Sequence, residues 1–161
     1  MNNFDENWKF QQGHYCDIER IITENAMSFI SVRIAENIED LKQATDFVVE
    51  VIGGEVAVRI RRAHQHYRDL TIRAVNRGWK TELDKIKDGF ARFYLYCWTD
   101  FTGSITEYIL VDCDAMRACG ILGNRRVIMN RDGKTGFIAI PIGELSAGGC
   151  LVAHRKGAAL P

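Results

Sequence analysis

Residues 45–62 read TDFVVEVIGGEVAVRIRR, two apolar runs set around Gly53-Gly54, opening on one acid and closing on a cluster of arginines. Val and Ile at this density favour strands, and a Gly-Gly pair suits the positive φ values of a tight primed turn, so the stretch predicts a β-hairpin. On the second strand, period-two alternation places Glu55, Ala57, Arg59 and Arg61 on one face and Val56, Val58 and Ile60 on the other. The apolar face supplies a core. The opposite face lines up an acid with two guanidinium groups, and Asp46, at the start of the partner strand, pairs near Arg61 at the open end.

Working outward, YRDLTIRAV (67–75) puts Leu70, Ile72 and Ala74 on one face and Asp69, Thr71 and Arg73 on the other, which extends the hairpin into an antiparallel meander. Upstream, Ile18, Ile21 and Ile22 form an i, i+3, i+4 stripe of an amphipathic helix with Asp17 as cap or first-turn acid. SFISVRIAE alternates as a strand, and residues 37–45 read as a helical turn or loop. Downstream, TELD (81–84) matches a capping box, and Asp88-Gly89 ends that helix because Gly takes a left-handed C′ residue without steric cost. RFYLYCW (92–98) and ITEYILVDCDAM read as strands, the second leading into a short helix that Gly120 terminates. Asp132-Gly133 marks another hairpin. Runs of strands mixed with helices predict an α/β chain, a central mixed sheet flanked by helices.

At 161 residues and 47% hydrophobic, the chain has the size and composition of one globular domain. Residues 1–14 read as a flexible N-terminus, 15–153 as the domain and 154–161 as a tail. No run of eighteen apolar residues occurs, and MNNFDENWKFQQG is polar and acidic, so neither a membrane span nor a secretory signal is expected and a cytoplasmic location follows. The five cysteines are scattered without a C-x-x-C pair, which predicts reduced, packed thiols.

The zero net charge hides an asymmetry. Residues 1–58 hold 4 basic and 11 acidic side chains, residues 59–92 hold 10 and 4, and residues 93–161 hold 7 and 6. Positive charge gathered in one central stretch forms a patch for a polyanion unless the acidic part folds over it. Other features have plainer readings. His64-Gln65-His66 has the spacing at which two imidazoles meet one metal, but without a third ligand it reads as a polar strand end. Glu82, Asp84 and Lys85 read as ordinary helix capping and surface charges. Tyr94, Tyr96 and Trp98 alternate within an apolar run and read as core.

The order of a helix with Glu, a strand, a strand opening on Asp, a hairpin, a strand ending in basic residues and a helix opening T-E-L-D-K resembles the PD-(D/E)XK superfamily of restriction-endonuclease-like nucleases over roughly residues 15–112. The resemblance implies an αβββαβ core. It also implies metal-assisted phosphodiester hydrolysis of DNA or RNA, with acids holding Mg²⁺ and a Lys orienting the attacking water. Asp46 matches the first acid. Ala57-Val58-Arg59 stands where (D/E)-x-K is expected, so Arg59 replaces the lysine as a phosphate clamp that cannot shuttle protons. Glu55 lies two residues back on the same face, and a first-helix Glu, Glu19 or Glu24, supplies a further ligand as in some members. On this reading Asp46, Glu55 and Arg59 are catalytic and Asp46 and Glu24 hold the metal. Arg61, Arg62, Arg68, Arg73, Lys80 and Lys85 complete the basic strip that meets phosphates. The alternative is an inactive member of the fold that binds nucleic acid or a protein partner, with self-association left open.

Overall fold

A computed structural model describes residues 6, 9–10, 12–26, 30–34, 47–51, 53, 55–62, 67–76 and 78–157. The chain divides into two compact units, Met1–Gly53 and Gly54–Pro161. In the first, helix α1 spans Tyr15–Glu24 and buries Ile21, with Asp17 in its first turn. An aspartate there faces the unsatisfied N–H groups of the helix start. The same unit holds the antiparallel ladder of β1 (Ile30–Ile34) and β2 (Phe47–Val51).

The second unit is mixed α/β. Its four-stranded sheet runs β3 (Val56–Arg61), β5 (Phe93–Thr99), β6 (Ile105–Asp112) and β9 (Leu151–Lys156). The β3–β5 pair is parallel and the other two pairs are antiparallel. A three-stranded antiparallel sheet orders β4 (Asp69–Asn76), β8 (Thr135–Pro141) and β7 (Ile128–Met129). Helices α2 (Glu82–Lys87), α3 (Cys113–Ala118) and α4 (Ile142–Ala147) connect the strands. Among the described residues no helix is long and apolar enough to cross a membrane.

The pairing corrects the hairpin and the meander. The partner of Phe47–Val51 is Ile30–Ile34, that of Val56–Arg61 is Phe93–Thr99, and β4 joins β8 in a separate sheet. Gly53 does not take the left-handed φ that a type I′ turn requires of both central residues. The physical reason lies in β5. All seven of its residues are buried, so both of its edges and both of its faces must be covered. Strand β3 supplies the parallel edge. A parallel pair needs a long crossover, and residues 62–92 provide one that contains β4 and α2.

The main core lies between the facing sides of these two sheets. Tyr94, Tyr96, Trp98, Ile109 and Val111 pack with Leu70, Ile72, Ile138 and Ile140, joined by Met116 of α3 and Leu145 of α4. The expected split of β4 holds: Leu70 and Ile72 are fully buried in this core, and Arg73 is exposed. Several local signals hold as well. Thr81 and Asp84 form the reciprocal capping box, and Gly89 takes a left-handed φ just past the helix. Asp112 caps α3, accepting from the N–H groups of Asp114 and Ala115. Gly133 turns β7 into β8, with Asp132 accepting from the N–H groups of Lys134 and Thr135. Helix α4 and strand β9 follow Pro141 without an equally clear local signal.

Candidate functional site

A cleft of about 550 Å³ opens in the second unit, with Arg59, Arg61 and Tyr96 from the four-stranded sheet and Asp69, Thr71, Arg73, Phe137 and Ala139 from the three-stranded one. Alternation explains both walls. Parallel register sets Arg59 opposite Tyr96, and the β4–β8 register sets Thr71 opposite Ala139 and Arg73 opposite Phe137. Tyr67, 81% exposed, stands at the mouth, where its carbonyl accepts the indole N–H of Trp98 at 3.2 Å. The β7–β8 hairpin contributes Ile128 and Asn130.

The three arginines of the cleft have different surroundings. Arg59 Nη1 lies 2.5 Å from Glu82 Oε2, and the same oxygen accepts the backbone N–H of Arg73 at 2.9 Å, where the β4–β8 register slips. Glu82 therefore ties the first turn of α2 to both β3 and β4, and its charge offsets that of Arg59. Arg61 donates through Nε to the Tyr96 hydroxyl and through Nη2 to Thr71 Oγ1. Those two oxygens are 2.7 Å apart and bond each other. Both are neutral, so they orient the guanidinium without cancelling its charge. Arg73 is exposed, and among the described residues its guanidinium has no acidic partner. Asp69 is half-buried and likewise has no cationic or hydrogen-bonding partner among them.

The remaining residues of the predicted strip are placed elsewhere. Arg68 Nε lies 3.0 Å from the buried carboxylate of Glu107, which His154 Nε2 approaches at 3.1 Å, and its guanidinium also sits over the Trp98 ring. Lys80 pairs with Asp88 at 2.5 Å and lies over the Phe90 ring. Arg62 is exposed just after β3. Glu55 and Lys85 line a second hollow of about 300 Å³, together with Glu82, Phe90 and Tyr94. The Arg59–Glu82 pair thus stands between the cleft and this hollow. Asp46, His64 and His66 lie outside the described residues.

The Mg²⁺ centre implied by the resemblance can be tested on the carboxylates that are described. Glu24 is exposed at the end of α1, Glu55 is exposed ahead of β3, and Glu82 is already engaged by Arg59 and the Arg73 N–H. Among the described residues no group of three or more His, Cys, Asp or Glu side chains converges as metal ligands. Within the second unit, Glu55, exposed, and Glu82, already engaged, do not make a metal centre beside Arg59. Among the described residues of the second unit, no cysteine lines the cleft. Burial pushes the thiols of Cys113 and Cys150 up to about 12, and Cys150 Sγ rests 3.4 Å from Cys119 Sγ, away from the arginines' wall.

Alternation brought Arg59 and Arg61 into view from sequence. Their partners Glu82, Thr71 and Tyr96 lie 23, 10 and 35 residues away. The one available signal was the polar face of β4, which carries Asp69, Thr71 and Arg73 together. Comparison of the chain with protein families, with curated proteins and with solved structures finds no match.

Proposed function

We propose that the cleft binds the phosphate backbone of a nucleic acid, with Arg61 and Arg73 as its phosphate contacts. The observation that carries this reading is the pair of guanidinium groups in one cleft, neither of them in an ion pair among the described residues, one of them held in place by two neutral hydroxyls. A guanidinium offers a planar fork of donors that matches phosphate oxygens, and it retains its charge at any working pH. Fixing it beforehand removes part of the ordering cost of binding. The rim adds to the field. Arg126 and Arg131 are exposed on and beside the β7–β8 hairpin without ion-pair partners among the described residues, and the exposed Lys134 lies in the field of the Asp132 carboxylate. Tyr67 offers an aromatic face beside the arginines, and stacking on such a face tolerates any base.

Fluorescence anisotropy with a labelled oligonucleotide, titrated in salt, tests this reading. Phosphate contacts release counterions, so log K should fall linearly with log salt, and each lost contact should reduce the slope by about 0.7 to 0.9. Arg73→Ala should do so. A shallow slope that the variant leaves unchanged would assign the cleft to a different ligand. The same mixtures incubated with magnesium or manganese test the hydrolysis that the resemblance implies, and any cleavage should disappear in Asp46→Ala.

A further inference from the structure

The cleft holds one group that phosphate binding does not use and that weakens it. Asp69 lines the cleft along with three arginines, half-buried, and its side chain has no hydrogen-bond or ion-pair partner among the described residues. An ionised carboxylate only accepts hydrogen bonds, so beside a phosphate it is repulsive unless the ligand brings an N–H or O–H to it. The walls around it are apolar as well as cationic, with Ile128, Phe137 and Ala139 facing the cleft and Tyr67 at the mouth. A volume of about 550 Å³ falls in the range of a small-molecule site. A duplex is read the opposite way, by convex protein elements entering its grooves. Because its hydroxyl partners hold Arg61 inside the concavity, a rigid duplex lying across the opening would not reach it, whereas a strand whose bases can splay would.

Resting on the phosphate reading above, we propose that the cleft seats one unpaired nucleotide of a single strand, and that Asp69 reads it by accepting a hydrogen bond from a base amino group or a ribose 2′-hydroxyl. In this arrangement the phosphate lies on Arg61 and Arg73, and the base lies along Tyr67 and Phe137. Asp69 sets the preference among nucleotides because a ligand carrying a donor can bond to it and one without a donor cannot.

The test measures anisotropy of labelled single strands and a duplex against the wild type, Asp69→Asn and Arg73→Ala. Oligo-dC against oligo-dT reports the amino group, and oligo-rU against oligo-dU reports the hydroxyl. Single strands should bind about tenfold or more tighter than the duplex. One of the two ratios should favour the donor-bearing strand by about tenfold, the scale of one hydrogen bond to a charged acceptor. That ratio should collapse in Asp69→Asn, while Arg73→Ala weakens every strand and keeps the ratio. Thermal melts check that Asp69→Asn folds as the wild type does. If Asp69→Asn tightens all strands equally with both ratios unchanged, or if the duplex binds as well as single strands, the inference falls while the phosphate reading stands. If no strand binds in an Arg73-dependent way, both fall.

Discussion

Arg59 and Arg61 are two residues apart on one face of β3 and line the same cleft, yet their neighbours treat them in opposite ways. Arg59 meets a carboxylate from α2, and Arg61 meets a phenol and a hydroxyl from β5 and β4. A count of basic residues would score them equally. The structure separates a charge paired with a carboxylate from one oriented by neutral hydroxyls, and Arg68 and Lys80, each paired with an acid, fall on the side of Arg59.

The sharpest way to break this comparison is Arg61→Ala. Loss of a charge-assisted contact of about 1.5 to 3 kcal/mol should weaken oligonucleotide binding by about ten- to a hundredfold. Thr71 and Tyr96 still bond each other, so the variant should fold, which circular dichroism can check. Tyr96→Phe keeps the charge but removes one of its anchors. An approximately five- to tenfold loss of affinity is expected, with about 1 kcal/mol of stability lost in urea unfolding. Glu82→Gln acts in the other direction. It releases Arg59 toward the cleft and should tighten binding by about threefold, while the lost ion pair costs on the order of 0.5 to 1 kcal/mol. Unchanged affinity would show that pairing does not determine what an arginine contributes here.

The smallest effect on binding is expected at the base of α2. Thr81→Ala removes the cap and should cost about 1 kcal/mol of stability with affinity unchanged. Its cost should also depend on pH. Hydrogen bonds from Thr81 hold the Asp84 carboxyl below the usual carboxylate range. A depressed acid stabilises the fold above its unfolded pKa, and that contribution is lost as pH falls through the lower, folded value. The gap between wild type and variant should therefore be full at neutral pH and narrow in strong acid, as paired melts can show.

Sequence reading succeeded where the signal was local. The capping box at Thr81–Asp84, the turns at Gly89 and Gly133, the alternation of β4 and the buried run of β5 each depend on residues within a few positions of one another. It failed on pairing. The Gly53-Gly54 hairpin is locally attractive, but β5 needs a second edge partner, and β3 meets that need from more than thirty positions away. The site divides along the same line. Arg59, Arg61 and Arg73 follow from period-two alternation. The fate of each cation does not, because Glu82, Tyr96, Thr71 and Glu107 reach them only through tertiary contacts. Lys80–Asp88, eight residues apart across a short helix, matches no helical spacing either.

The most direct measurement compares the salt dependence of oligonucleotide binding for the wild type, for Arg61→Ala, and for the double variant Arg59→Ala/Glu82→Gln, which removes the pair without stranding an acid. Arg61→Ala should lower the slope of log K against log salt by about 0.7 to 0.9, and the double variant should leave it at the wild-type value. A double variant that lowers the slope as much as Arg61→Ala, or an Arg61→Ala that leaves it intact, would contradict the claim that the uncompensated guanidinium is the one that binds phosphate.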